Sequence, residues 1–199
     1  MNEETQKFLE KHKITQGEVF DAQGKSISEL KEWMKLQNIL FAYNTNECPS
    51  GHTIRARSGH CIECNTATIA FAKRSVETGN VYLAGSISKE FIKIGMSTEQ
   101  LDKRIGKLNS KRVGNTDDWV VIKSVKCDFA NQHELAIHAL MRKYKVDGEK
   151  YGDIESKELF RCSFEKANSV LKEYFEINNI TIIESKMYLY NAENCKSSA

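Results

Sequence analysis

The chain lacks what a membrane or secreted protein would show. No run approaches the roughly 18 consecutive apolar residues of a membrane span. Residues 1–13 are almost wholly polar, so no secretory leader is read there. Internal repeats and low-complexity linkers are missing as well. So is an excess of one charge: 29 Lys and Arg stand against 27 Asp and Glu, a net of +2. A long phosphate-binding track normally shows more, which leaves a compact protein with a local basic patch. Residues 89–112 hold seven Lys or Arg against three Asp or Glu, a modest bias that a solvated helical face explains equally well. At 40% apolar and 28% charged, the composition is globular rather than disordered. The 199 residues allow one domain of common size, or a small module plus a domain of about 100 residues.

Six cysteines in this length invite a disulfide framework, but their spacing opposes it. Cys61 and Cys64 form a C-x-x-C knuckle within Gly59-His60-Cys61-Ile62-Glu63-Cys64, and Cys48-Pro49-Ser50-Gly51-His52 precedes it. Cys127, Cys162 and Cys195 are scattered singly. Clustered cysteines of this kind more often hold metal in a reducing compartment, so a cytoplasmic location is expected. Zinc takes four N or S ligands in a tetrahedron, and Cys48, His52, Cys61 and Cys64 supply that count. His60 is the competing nitrogen. A full set leaves no open position, which points to a structural role. Free core cysteines are the alternative, although the loop is polar and glycine-rich. The motif order resembles a treble-clef-like zinc finger. Arg55 and Arg57 lie between the ligand pairs, and Lys73 and Arg74 follow, as candidate phosphate contacts on DNA.

Four segments are read along the chain: residues 1–43, an N-terminal helical segment; 44–78, the zinc-binding module; 79–178, the main domain; and 179–199, a C-terminal arm. Helices are expected over 3–12 and from Ser28, where Leu30, Trp33 and Met34 recur at helical spacing. Another is expected over 66–75. Val81–Ser86 and Phe91–Gly95 read as a hairpin. Ser97 and Gln100 look like capping chemistry for a helix over 98–108, buried through Leu101, Ile105 and Leu108. Trp119–Cys127 reads as a third strand. Gln132–Tyr144 reads as a helix burying Leu135, Ile137, Leu140 and Met141 in part. Leu159–Cys162 is extended, and Ser163–Phe175 is helical. Thr181–Ile183 and Met187–Tyr190 read as edge strands or packing arms.

Asn80-Val81-Tyr82, Lys93-Ile94-Gly95, Arg104 and Glu134 stand on separate elements of this scheme. A phosphodiester hydrolase must activate water, neutralise charge at phosphorus and help the leaving oxygen depart. Tyrosine, arginine and a metal-holding carboxylate suit those tasks, and a structural role for each is the plain alternative. Over residues 79–168 these motifs, with Phe160 and the Ser163 helix, resemble the GIY-YIG endonuclease superfamily, in its phage and bacterial branch with a Lys-Ile-Gly second motif. The resemblance implies an α+β fold, a small three-stranded antiparallel sheet flanked by helices, here with an N-terminal zinc-binding module. It implies DNA cleavage with one divalent cation. Tyr82 would orient or deprotonate the attacking water, Arg104 would hold the scissile phosphate, and Glu134 would be the sole protein ligand of Mg²⁺ or Mn²⁺. Lys93 replaces the usual second tyrosine, where it can touch phosphate, share the base role, or point its amine to solvent. His138, four residues after Glu134, can reach Glu134 or a phosphate. Lys107 joins the candidate DNA contacts. Gly95 is expected to let a helix approach the strand.

The expected function is a metal-dependent DNA endonuclease positioned by its zinc finger. A zinc-stabilised nucleic-acid-binding protein without cleavage stays open beside it. One such site cuts one strand, so double-strand cutting would take a homodimer or two successive nicks.

Overall fold

The computed structural model describes residues 1–148, 150–151, 154–155 and 158–188. The chain divides into two compact units, Met1–Val76 and Glu77–Ala199.

In the first unit, helix α1 is Glu3–Lys11, strand β1 Val19–Asp21, helix α2 Ile27–Leu36, strand β2 Phe41–Tyr43, strand β3 Arg55–Ala56 and helix α3 Ala67–Arg74. The Asn2 side chain caps α1 by accepting from the Thr5 N–H at 2.8 Å, and Glu3 and Glu4 complement the positive end of the helix. Ser26 caps α2 in a reciprocal box with Glu29, so the helix starts at Ile27, one residue before the Ser28 expected. Because α2 carries the chain back across the sheet, β1 and β2 pair in parallel; β3 joins β2 antiparallel. This mixed three-stranded sheet was not foreseen. Leu9, Val19, Phe41, Ile54, Ile62 and Ile69 bury one continuous core, drawing on α1, the sheet and α3.

In the second unit, strand β4 is Gly79–Ser86, β5 Phe91–Ser97, helix α4 Leu101–Ser110, β6 Val120–Cys127, α5 Ala130–Leu140, β7 Lys150–Tyr151, β8 Ile154–Glu155, β9 Leu159–Phe160, α6 Phe164–Ile177 and β10 Glu184–Met187. The main sheet has five strands in the order β10-β6-β4-β5-β9, all antiparallel. The expected three-stranded sheet is its centre, widened at both edges; β7 and β8 form a separate small pair. The extended stretch near the C-terminus, 184–187, begins after the first run expected there and reaches Met187, the first residue of the second. Leu189, Tyr190 and Cys195 fall outside the described residues.

Alternation along the strands sorts the two faces. Val81, Leu83, Ile92, Ile94 and Val125 pack against α5 and α6. Tyr82, Ala84 and Phe91 face the other way, with Leu101, Leu108, Trp119 and Leu159. Helix α4 starts later than expected because Ser97 still belongs to β5, paired with Asn80. The Ser97 hydroxyl donates to the Glu99 carbonyl at 3.0 Å instead of capping the helix. Ser163 does cap α6, accepting from the Lys166 N–H at 3.2 Å.

Helix α5 departs from its expected burial. Ala130, Glu134, Ile137 and the following Met141 are buried, at helical spacing on one face, whereas Leu135 and Leu140 are exposed. A carboxylate therefore occupies a core position of this helix. Among the described residues no helix is long and apolar enough to cross a membrane.

Gly95 lies opposite Tyr82 in the β4–β5 ladder. A Cβ at Gly95 would stand 2.5 Å from both Cζ and the hydroxyl oxygen of Tyr82. The tyrosine ring, not a helix as expected, uses the space that the missing side chain leaves. Gly95→Ala should therefore displace the ring, lowering stability by about 1–3 kcal/mol as overpacking does. A wild-type urea midpoint for that variant would contradict this packing.

Candidate functional site

The metal cluster is built by two turns of the first unit. Cys48 and His52 close one turn, with the Cys48 N–H bonded to the His52 carbonyl at 2.9 Å and the Gly51 N–H to the Cys48 carbonyl at 2.8 Å. Gly51 has φ +79°, a conformation that favours glycine. Cys61 and Cys64 close the second, where the Cys64 N–H points at Cys61 Sγ, 3.5 Å away. The two turns bring one ligand atom from each of Cys48, His52, Cys61 and Cys64 within 4.8 Å of one another. Cys48 Sγ is 3.6 Å from Cys64 Sγ. His52 Nδ1 is 3.2 Å from Cys64 Sγ and 3.7 Å from Cys61 Sγ. A tetrahedral ion with bonds of ~2.3 Å to sulfur sets its ligands about 3.8 Å apart, so the donor set and its spacing fit zinc. Desolvation pushes the Cys48 thiol up, but N–H groups of Ser50 and His52 and the adjoining thiols outweigh it and hold it at about 6. His60 takes no part in the cluster: its Nδ1 meets Ser58 Oγ at 3.0 Å.

Three of the basic residues read as phosphate contacts in this unit are engaged by hydrogen bonds. Arg55 donates from Nε and Nη2 to the Asn46 carbonyl and from Nη1 to the Gly59 carbonyl, at 3.0–3.3 Å. It braces the two turns against each other. Arg57 donates to the Ile39 carbonyl at 3.4 Å. Lys73 donates to the Lys13 carbonyl at 2.6 Å and to Glu18 at 3.2 Å, fastening α3 within its unit. Arg74 is exposed. In the second unit, Lys107 is exposed on α4 and pairs with Glu99 at 2.6 Å.

The second unit holds the other constellation. Tyr82 is fully buried on β4, and Arg104, half-buried on α4, donates from Nε to its hydroxyl oxygen at 3.3 Å. Burial pushes the Tyr82 phenol up to about 12; Arg104 pulls it down, while the Glu158 and Glu134 carboxylates add to the rise. The phenol is therefore protonated at neutral pH, and a phenolate base is not available in this state. Burial opposes the charge on Arg104, yet Tyr82, Glu158 and Glu99 outweigh it and stabilise the guanidinium. Glu134 presents its buried carboxylate from the core face of α5, close enough to act on Tyr82.

Lys93 shares the Tyr82 face of the sheet. Its side chain is 2% exposed, and its ammonium forms an ion pair with Glu158 rather than reaching solvent. His138 faces β5: its Nε2 lies 3.0 Å from the Ile94 carbonyl, so that nitrogen carries the proton and donates. Burial lowers the pKa of His138, against the pull of that hydrogen bond and of Glu158. The structure thus joins Arg104 to Tyr82, with Glu134 acting on the same phenol, and brings Lys93 to Glu158, a carboxylate not picked out from sequence that also acts on Arg104 and His138. A lysine amid Phe91, Ile92 and Ile94 was a usable signal, because a buried ammonium demands a counter-charge.

Residues 79–184, more than half of the chain, match the T5orf172 domain family. The chain belongs to that family. T5orf172 is a nuclease-associated domain, and its span here runs from the first residue of β4 to the first residue of β10. All the residues of the Tyr82–Arg104 constellation lie inside the T5orf172 region, whereas the Cys/His cluster precedes it. No curated protein and no solved structure matches the chain.

Proposed function

We propose that this T5orf172 protein is a divalent-metal-dependent DNA endonuclease of the GIY-YIG type, stabilised and positioned on DNA by a zinc module. The observation that carries the reading is the Arg104 contact on the Tyr82 hydroxyl, formed beside a buried carboxylate, Glu134, within a nuclease-associated domain.

Glu134 fits the cation in kind: a carboxylate is the hard oxygen donor that Mg²⁺ or Mn²⁺ takes, with water and phosphate oxygens completing the shell. When bound, such an ion would supply Lewis-acid charge at the phosphate. The chain's own residues do the rest. Arg104 holds the phosphate with N–H groups left over from its single bond to Tyr82; a planar five-donor fork suits this as an ammonium does not. Tyr82 receives a hydrogen bond from Arg104 and has its own O–H to give, so it orients the attacking water and leaves the water's proton to bulk solvent or a phosphate oxygen. The attack forms one P–O bond and breaks the other, leaving a phosphate and a hydroxyl end. Lys93 acts as a fixed cation, not as a base, since its ammonium is committed to Glu158. His138 supports β5 through Ile94 instead of touching substrate. In the zinc module the charges of Arg55, Arg57 and Lys73, though hydrogen-bonded, and the exposed Arg74 supply salt-sensitive phosphate attraction.

A binding-only role is favoured by one observation, the complete burial of Tyr82. Incubation of the purified chain with supercoiled plasmid separates the two. Nicked or linear product that depends on added Mg²⁺ or Mn²⁺ is expected. Intact plasmid under all divalent conditions, alongside a retained mobility shift, would replace the endonuclease with the binding protein.

A further inference from the structure

Glu158 stands immediately before β9, and its main chain already holds it to β5: the Ile94 N–H donates to the Glu158 carbonyl at 3.4 Å. Its side chain turns to Lys93, one residue earlier on the same strand. Lys93 is buried to 2% exposure, whereas the Glu158 side chain is 40% exposed. The pair therefore runs from the sheet interior to the surface, with the anion at the open end.

Four elements present charged or titratable groups to this carboxylate. They are Lys93 on β5, Tyr82 on β4, Arg104 on α4 and His138 on α5. Burial disfavours the Glu158 carboxylate, but Lys93, then His138 and Arg104, more than compensate and keep its pKa below the usual value. In return Glu158 stabilises the charge on Arg104 and the proton on Tyr82. Glu158 thus bears on Lys93, Tyr82 and Arg104, and on His138 of α5.

We propose that Glu158 is a positioning residue of the Tyr82–Arg104 site: by anchoring the buried Lys93 ammonium it fixes the cations and the phenol in the arrangement that meets the phosphodiester. The inference rests on the endonuclease reading. A positioning carboxylate here differs from a purely structural ion pair in its effect on DNA binding. A carboxylate beside a phosphate-binding guanidinium repels DNA. Removing its charge should strengthen binding while disordering the groups that act in cleavage, so affinity and rate should move in opposite directions.

The experiment compares wild type, Glu158→Gln, Lys93→Met and the double variant by single-turnover cleavage of plasmid at saturating protein and by DNA titration. Glu158→Gln keeps the volume and removes the charge. Its cleavage rate should fall on the order of tenfold or more, as for misplaced catalytic groups, with DNA affinity equal to or tighter than wild type. The double variant leaves no uncompensated buried charge and should fold even if Glu158→Gln does not. Its rate should match that of Lys93→Met alone, because both changes break one unit. A wild-type rate for Glu158→Gln, or for the double variant, would overturn the positioning role. A wild-type chain that binds DNA without cutting removes the endonuclease reading itself and this role with it. That result differs visibly from a cutting enzyme indifferent to Glu158.

Discussion

Arg104→Ala should lower single-turnover cleavage on the order of 10²-fold or more, with a much smaller loss of DNA affinity. The reason lies in when the interaction is made. Charge builds on the phosphate oxygens as the P–O bonds exchange, and a half-buried guanidinium answers that charge more strongly than it answers the ground state. Its environment is prepared for this: Tyr82, Glu158 and Glu99 all favour the charged form. Tyr82→Phe probes the same contact from the other side. The ring still fills the space over Gly95, so packing is kept while the hydroxyl that accepts from Arg104 is lost. Cleavage should fall for this variant as well, without a new pH dependence near neutrality, because a phenol held at about 12 does not titrate there. If both variants weaken binding alone and cut at the wild-type rate when saturated, neither residue acts in the chemistry.

Removing zinc should unfold the Cys/His module and spare the nuclease-associated domain. Structural zinc contributes about 10–16 kcal/mol in isolated fingers, more than a small module holds in reserve. Here Arg55, through the carbonyls of Asn46 and Gly59, and the Ile54 bonds to Ile62 and Glu63 are polar links between the two ligand-bearing segments among the described residues, and they are few beside four bonds to an ion. Without the ion, four donors packed within 4.8 Å lose the charge that holds them together. One zinc per chain is expected in protein purified without chelator. After chelation, or in Cys61→Ser, amide exchange should accelerate over residues 44–70 and stay slow in the central strands of the second unit. Zinc content near zero, or unchanged exchange over 44–70, would remove the metal from the account.

Much of this was legible from local chemistry. The Cys/His spacing predicts a four-ligand cluster, and the turns that build it follow from glycine and short loops. The helical spacing of Leu30, Trp33 and Met34 locates α2, the stripe of Leu101, Ile105 and Leu108 locates α4, and the two extended runs at 81–86 and 91–95 pair as the β4–β5 hairpin. What was missed depended on partners remote in sequence. The extended stretch at Leu159 is where β9 lies, but its pairing with β5, and the place of β10 on β6, come from the closing of the sheet. Leu135 and Leu140 look like core residues by type, yet the face of α5 is set by Ala130, Ile137 and Met141, with Glu134 among them. Lys93 read alone allowed a solvent-facing amine; only the fold brings Glu158, 65 residues away, to its ammonium. Arg55 and Arg57 invited a phosphate role, and the loop carbonyls that engage them are equally invisible in sequence.

In the proposed endonuclease Glu134, and not the Cys/His cluster, holds the cation used in cleavage. Plasmid nicking by wild type and Glu134→Gln, each zinc-loaded and assayed across Mg²⁺ or Mn²⁺ concentrations, tests it most directly. The variant keeps the volume of a buried side chain while removing the one anionic oxygen donor proposed for the ion. Divalent-dependent nicking by wild type, with nicking by Glu134→Gln lost at every metal concentration while zinc content and fold are retained, is the predicted result. Nicking by Glu134→Gln within about threefold of wild type would contradict it, since a charge-stabilising group is worth far more than that.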